Sequence, residues 1–211
     1  MGAFVFKRWY LHLKIKMISP GQVNELIKNR RSTFPKQFAA GKKIDDAIVQ
    51  QLLENANWAP THKLTEPWRF TVFTGEGLKR FAEYQAAMYK KYEADNFKED
   101  KYQKMLSNPL LASHIISIGM KRNDKVPEVE EIASVSCAVQ NMYLTAAAYG
   151  IGCYWTTGGT TYYDEAKAFF SLGANDKLLG FLYVGEIAVP SPHGTRNAID
   201  EKVNWVRESY E

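Results

Sequence analysis

The alternation of apolar and polar positions predicts helices and strands in turn along the chain. The first stretch with a helical period covers 20–29, where Val23, Leu26 and Ile27 share a face. Ser19-Pro20 opens it, since serine at the N-cap and proline at the first helical position both suit a helix start. A turn-like stretch, RRSTFPKQFAAGKK, follows. A second helix over 45–57 repeats apolar residues at Ile48, Leu52, Leu53 and Ala56, and Pro60 ends it. The polar loop THKLTEP leads into a short strand over 69–74, and Gly75 and Gly77 separate that strand from a long helix over 78–94. The charged stretch 95–109 reads as partly helical and exposed, or lid-like. A buried strand is predicted over 114–120. The helix predicted over 128–149 is rich in small residues (Ala133, Ser134, Ser136, Ala138, Ala146, Ala147, Ala148), which let another backbone come close; it is the candidate central helix. Gly150 and Gly152 close it. A strand over 153–155, a loop TTGGTT, a helix over 164–171 and a strand over 177–188 follow. The tail PSPHGTRNAIDEKVNW has little regular pattern.

Helices alternating with strands point by default to a doubly wound parallel sheet. That default needs a strand, a glycine loop and a helix in this order. Here Gly150-Ile151-Gly152 follows a helix and precedes a strand, and the third glycine is missing. A Rossmann nucleotide site is therefore excluded, and a Walker loop is absent as well.

Composition narrows the class further. A chain of 211 residues, 45% apolar and 24% charged, is ordinary for a globular domain, which rules out disorder, collagen and coiled coil. No run approaches the ~20 apolar residues of a membrane helix. Cys137 and Cys153 make neither a disulfide framework nor a zinc pattern, so a reducing, cytoplasmic setting is expected. The net charge of +4 resides in the leader, where Lys7, Arg8, Lys14 and Lys16 have no acidic neighbour; the remaining 23 basic residues are matched by 23 acidic ones. A nucleic-acid partner is not expected from such a body. The leader lacks a clean apolar core and a small-residue cleavage site, which argues against a signal peptide. Residues 1–17 read as an N-terminal extension, with a basic membrane-touching segment as the minor alternative, ahead of one domain over 18–211.

The side-chain chemistry is sparse. His12, His62, His114 and His193 are scattered, with no metal-ligand spacing, and no GxSxG elbow exists. Cys153 sits in an apolar strand-like stretch and reads as a buried thiol rather than a nucleophile. Glu186, at a strand end, reads as a solvated carboxylate. No metal site and no protein catalytic group is predicted. An enzyme with that profile takes its reactivity from a cofactor.

Three patches bear on which cofactor. Arg30-Arg31-Ser32, just after a helix, offers two guanidiniums and a hydroxyl to a terminal phosphate; the plain alternative is a solvated helix end. Trp58-Ala59-Pro60-Thr61-His62-Lys63, followed by Glu66-Pro67-Trp68-Arg69-Phe70, gives a rigid aromatic anchor entering a strand; the alternative is a core tryptophan. Gly152-Cys153-Tyr154-Trp155-Thr156-Thr157-Gly158-Gly159 supplies backbone N–H groups at close approach. Each patch alone is more often structural.

In this order and together, RRS, WAPTHKLTEPWRF, the small-residue helix running into GIGCYWTTGG, GFLYVGE and the late Arg196 ahead of Val203-Asn204-Trp205 resemble the FMN-dependent nitroreductase family, near its small single-domain NAD(P)H branch. The resemblance covers nearly all of the chain beyond the leader. It implies a three-layer α+β fold, with a mixed, mostly antiparallel sheet sandwiched by helices. It also implies an obligate homodimer with FMN at the interface and a C-terminal tail embracing the partner. By resemblance Arg30, Arg31 and Ser32 hold the phosphate end of FMN, with Arg196 a second phosphate contact. Trp155, Thr156, Thr157 and Gly158 lie against the flavin ring or its phosphate arm. Pro60, Thr61 and His62, with Trp58, reach the flavin from the other subunit.

Two positions depart from the family pattern. Phe34 stands where many relatives carry a basic residue, and Leu64 where many carry asparagine; Lys63 or Lys36 would have to substitute beside the flavin pyrimidine. The implied activity is hydride transfer from NADH or NADPH through FMN to flat acceptors, nitroaromatics or quinones, by ping-pong kinetics. Trp68, Tyr154 and Trp155 are the aromatic walls for such acceptors, and 95–109 would shape acceptor choice. Two alternatives stay open from the sequence: an FMN-binding storage or sensor module without turnover, and a family cousin performing reductive dehalogenation or flavin breakdown.

Overall fold

The computed structural model describes residues 18–207, so the extension expected over 1–17 lies outside the described residues. Helix α1 spans Pro20–Asn29. Its start is fixed locally: the Gln22 N–H donates to the Ser19 hydroxyl at 3.2 Å, and the Ser19 N–H donates to the Gln22 side chain at 3.0 Å. This reciprocal cap satisfies two donors that a helix otherwise leaves open, an effect of about 1 kcal/mol. Yet α1 buries none of its residues, and its apolar face, with Val23 and Ile27, is exposed.

Helix α2 (Asp46–Ala56) starts at Asp45, whose carboxylate accepts from the Ala47 N–H. Then come strand β1 (Trp68–Thr74), helix α3 (Glu76–Tyr92), helix α4 (Glu99–Ser107) and strand β2 (His114–Met120). Helix α5 (Glu128–Ala148), strand β3 (Ile151–Thr156) and strand β4 (Lys177–Glu186) complete the body. The stretch 164–171, expected as an α-helix, forms a 3-10 helix over Asp164–Phe170 and stops at Ser171, which is left-handed.

The sheet order is β1-β2-β4-β3, and every pair of neighbours is antiparallel. The parallel default suggested by alternation is therefore wrong, for two separate reasons. Between β1 and β2 the chain makes two helices rather than one. It leaves β1 at Thr74 and enters β2 beside it at His114, its cross-strand partner. Between β2 and β3 the single helix α5 does make the two strands run the same way, but β4 inserts between them and pairs antiparallel with both. Among the described residues parallel pairing survives only as an isolated bridge from Ser32 to Cys153.

Strand period explains the three layers. On one face Ile116, Ile118, Leu182 and Val184 pack against Leu52 and Ala56 of α2 and Val135, Ala138, Val139 and Met142 of α5. On the other, Ile115, Phe181 and Tyr183 pack against Phe81 of α3 and Phe170. Burying each such large side chain contributes roughly 1.5–3 kcal/mol. All seven residues of β2 are buried, as a central strand requires. Of the small residues of α5, Ser134, Ala138 and Ala146 are buried, whereas Ala133 and Ala148 are exposed. By contrast α4 buries no residue, in keeping with an exposed 95–109 segment.

Beyond Ser191 the tail is exposed throughout the described residues, Trp205 included, and has only a 3-10 turn at Asp200–Lys202. No helix among the described residues is long and apolar enough to cross a membrane. Among those residues no cluster of His, Cys, Asp or Glu could hold a metal ion.

Candidate functional site

The site begins at the sheet edge. Strand β3 is an outer strand, and the segment after α1 runs along its free side. The Thr33 N–H donates to the Cys153 carbonyl at 2.8 Å, Ser32 bridges Cys153, and Phe38 bridges Ile187. Two glycines make room for this. Gly152 on β3 faces Gly185 on β4 across the ladder. A Cβ on Gly152 would stand 2.8 Å from Cβ of Thr33, and one on Gly185 would stand 2.4 Å from Cγ of Phe38. Glycine inside a strand thus marks a close approach of another backbone.

The anchored segment carries Arg30 and Arg31 into a crevice of about 220 Å³ between the end of α1, the C-terminal half of α5 and the start of the tail. The Arg30 guanidinium lies 5.0 Å from the ring centroid of Tyr143. Among the described residues its side chain makes no ion pair and no hydrogen bond. Arg31 is used differently. Its Nη1 donates to the carbonyls of Lys28 (2.6 Å) and Arg30 (2.9 Å), and its Nε to that of Pro192 (3.2 Å). Ser191 closes the rim, its hydroxyl donating to the Ser32 carbonyl at 2.8 Å. The crevice is below the roughly 300–1,000 Å³ that encloses a whole ligand, so it fits one end of such a molecule.

Two titratable groups line it. Burial pushes the Cys153 thiol up to about 12, against the opposing pull of Arg30. The thiol is neutral and buried, as the sequence reading expects. Burial likewise raises the Tyr143 phenol, which stays protonated at neutral pH. The crevice therefore offers positive charge and hydrogen-bond donors, not a nucleophile or a base.

The remaining expected residues lie elsewhere in one chain. Trp155, Thr156, Thr157 and Gly158 leave from the far end of β3. The Trp155 N–H donates to the Tyr143 hydroxyl at 2.6 Å and its indole to the Leu179 carbonyl at 3.0 Å. The Gly158 N–H donates to the Thr161 hydroxyl at 3.3 Å. Trp58, Pro60, Thr61 and His62 sit between α2 and β1. There the His62 ring pairs with Glu130 in the first turn of α5, and Trp58 is 86% exposed. From Glu130 to Ala147 at the crevice is about 25 Å of helix at 1.5 Å per residue. Within one chain His62 is therefore remote from the crevice, whereas Trp58 shares a shallow pocket with Leu144 and Thr145, next to the Tyr143 and Ala146 that line the crevice. Arg196 is exposed and outside the crevice, donating to the carbonyl of Thr195. Sequence reasoning missed Tyr143, Ser191 and the Gly152–Gly185 pair. Only the glycines gave a signal: Gly185 interrupts an apolar strand, and Gly152, read as closing the helix, lies inside β3.

Comparison with known proteins decides what this arrangement belongs to. The model of the nitroreductase family matches residues 27–186. The chain belongs to the nitroreductase family. This makes it an oxidoreductase by family. It is 33% identical over 180 residues to YdjA of Escherichia coli (strain K12), a candidate NAD(P)H nitroreductase, covering 80% of this chain and 94% of YdjA. The crystal structure of a nitroreductase-like family protein from Bacillus cereus superposes with a TM-score of 0.75 at 26% identity, over 90% of this chain and 98% of that one. A candidate nitroreductase from Desulfovibrio desulfuricans, crystallised in complex with FMN, gives a TM-score of 0.69 at 22% identity, over 92% and 100%.

In this chain the two departures from the family pattern are both at the surface. Phe34 is half exposed, with its ring centroid 4.6 Å from that of Tyr154. Leu64 is 81% exposed and held at a φ of 53°. Lys63 Nζ donates to the Lys125 carbonyl, and Lys36 is exposed.

Proposed function

We propose that two copies of the chain bind FMN and work as an NAD(P)H-dependent oxidoreductase on flat acceptors, nitroaromatics or quinones. The observation that carries this is Arg30: a half-buried guanidinium, without an anionic partner among the described residues, facing a crevice whose lining holds no carboxylate. The donor set fits a phosphate. Arg30 and Arg31 would hold it, with the charge-assisted bonds that arginine's planar fork makes to phosphate oxygens. The crevice fits one end of the cofactor, so a second copy has to complete the site. The apolar face of α1 and the exposed tail are surfaces left for that copy. The loop with Pro60, Thr61 and His62, held near Glu130 at the other end of α5, would come from it together with Trp58, as would Arg196.

When bound, FMN supplies a ring that takes hydride from NAD(P)H and delivers it to a second substrate, so one site used in turn gives ping-pong kinetics. The chain's own part is to bind, orient and exclude water. Trp155, Thr156, Thr157 and Gly158 are placed to meet the ring, and their strand is tied to the crevice through Tyr143.

Arg30→Ala tests the reading. Loss of one charge-assisted contact of roughly 1.5–3 kcal/mol weakens FMN binding by about ten- to a hundredfold, read by quenching of flavin fluorescence. A purified protein that is yellow, and that NADH or NADPH bleaches under nitrogen, is the expected wild type. A colourless protein that takes up no added FMN, or an Arg30→Ala variant that binds as tightly as wild type, would refute it.

A further inference from the structure

A second charged cavity, of about 410 Å³, lies between the start of β1 and the loop joining β2 to α5, with Thr65 in its wall. Arg69, Lys121 and Lys125 line it, and none of the three makes an ion pair among the described residues. Asp124 is the only carboxylate in the lining, and the fourth cation, Arg122, is neutralised by buried Glu131 at 2.6 Å. That pair also makes the floor rigid. Arg122 Nη1 donates to the Val126 carbonyl at 2.8 Å, Glu131 accepts the Asn123 N–H, and Asn123 in turn accepts the Lys125 N–H at 3.0 Å. The Lys121 N–H is fixed to the Pro67 carbonyl at 2.7 Å. Arg69 uses only Nη1 on its own backbone neighbourhood, leaving Nε and Nη2 available.

Thr65, in the wall of this basket, belongs to the loop 61–66, whose conformation is costly. Lys63, Leu64 and Glu66 all have positive φ, which L-residues other than glycine rarely adopt. The loop is pinned by Thr61 to Thr65, by the Glu66 N–H to Thr61, by His62 to Glu130 and by Lys63 to the Lys125 carbonyl. Thus the segment expected beside the flavin of a second copy is fastened directly to the cation basket.

We infer that Arg69, Lys121 and Lys125 bind the 2′-phosphate of NADPH and give the enzyme a preference for NADPH over NADH. The inference rests on the flavin reading above and names the donor for that same site. A dinucleotide with its nicotinamide on the flavin extends its adenosine end away from the ring, across the loop. A phosphate monoester carries about −1.5 to −2 at pH 7 and presents three acceptor oxygens. One planar arginine fork and two mobile ammonium groups match that charge and oxygen count. The diphosphate linkage has one charge on each phosphorus and needs no such concentration of cations.

The test has two arms, on wild type, Lys121→Gln/Lys125→Gln and Arg69→Gln. In turnover, wild type is expected to have the higher kcat/KM for NADPH, and the ratio of NADPH to NADH is expected to fall at least about tenfold in the variants, as lost charge-assisted bonds imply. In calorimetry, adenosine 2′,5′-bisphosphate should bind wild type at least about tenfold more tightly than adenosine 5′-phosphate, and the variants should lose that preference. These lysines are exposed, so circular dichroism should show folded variants. A wild type that prefers NADH, an unchanged ratio, equal losses for both donors, or no discrimination between the two adenosine phosphates would overturn the inference. Flavin uptake, followed separately by absorbance, distinguishes failure of the FMN reading from failure of the basket.

Discussion

Replacing Gly185 by alanine would set a methyl carbon 2.4 Å from Cγ of Phe38, where carbons pack at about 3.5–4.0 Å. The ring must therefore move by more than about 1 Å. It cannot do so by swinging its tip, because the clash is at the root of the ring, and the side chain is buried at 5% exposure. Its backbone is tied as well: the Phe38 N–H donates to the Pro35 carbonyl, and the next N–H, that of Ala39, donates to the Glu186 carbonyl at 2.9 Å. The displacement has to pass into the segment that carries Arg30. Overpacking of this kind costs about 1–3 kcal/mol. In a domain of this size each kcal/mol lowers Tm by roughly 2–4 °C, so Gly185→Ala should melt about 2–12 °C below wild type. Differential scanning calorimetry at one fixed protein concentration measures this, since the proposed dimer would make Tm depend on concentration. FMN affinity should fall in the same variant, although Gly185 does not line the crevice. A variant that melts with the wild type and binds FMN equally well would show that the glycine pair is not what seats the segment.

Other consequences are open to measurement. Arg122→Met leaves Glu131 buried with its charge unmatched, and should cost about 3–5 kcal/mol in denaturant titrations at pH 7; a change under one tenth of that would contradict the ion pair's place in the core. In Cys137→Ser, the remaining thiol, Cys153, should resist a disulfide reagent at pH 8 and react only after unfolding. Because burial holds that thiol protonated up to about 12, while an unfolded one ionises near ~8.5, the native state keeps a proton that the unfolded state loses, and this group's contribution to stability declines as pH climbs through that window. His114 has the opposite window. Burial lowers its pKa despite hydrogen bonding to Asp46, so the unfolded chain takes up a proton first as pH drops below about 6.5, and stability falls with it. A His114→Asn variant should show a shallower acid limb in its stability–pH curve, and an equally steep limb would exclude His114 as the source.

Local signals were the legible ones. Ser19 and Pro20 announced the start of α1, and the mostly apolar run 114–120 announced β2, because both are encoded by neighbours in sequence. Strand order was not legible. Nothing near 177–186 says that β4 will slip between β2 and β3, since pairing depends on loop lengths and on which faces need cover. The reversal by α3 and α4, which turns β1 and β2 antiparallel, is likewise a tertiary fact. For the site, the RRS patch was legible as chemistry, and its position beside Tyr143 was not. The loop with His62 was legible by resemblance alone, because its own chain holds it a helix-length away from the crevice.

Tyr143 is a ruler. Its ring face meets the Arg30 cation, and its hydroxyl takes the Trp155 N–H at 2.6 Å. One aromatic side chain thereby sets the spacing between the charged end of the crevice and the strand that leads to Thr156 and Thr157. A shorter residue at this position would uncouple two distances that are now fixed by a single rigid ring, letting each drift without the other.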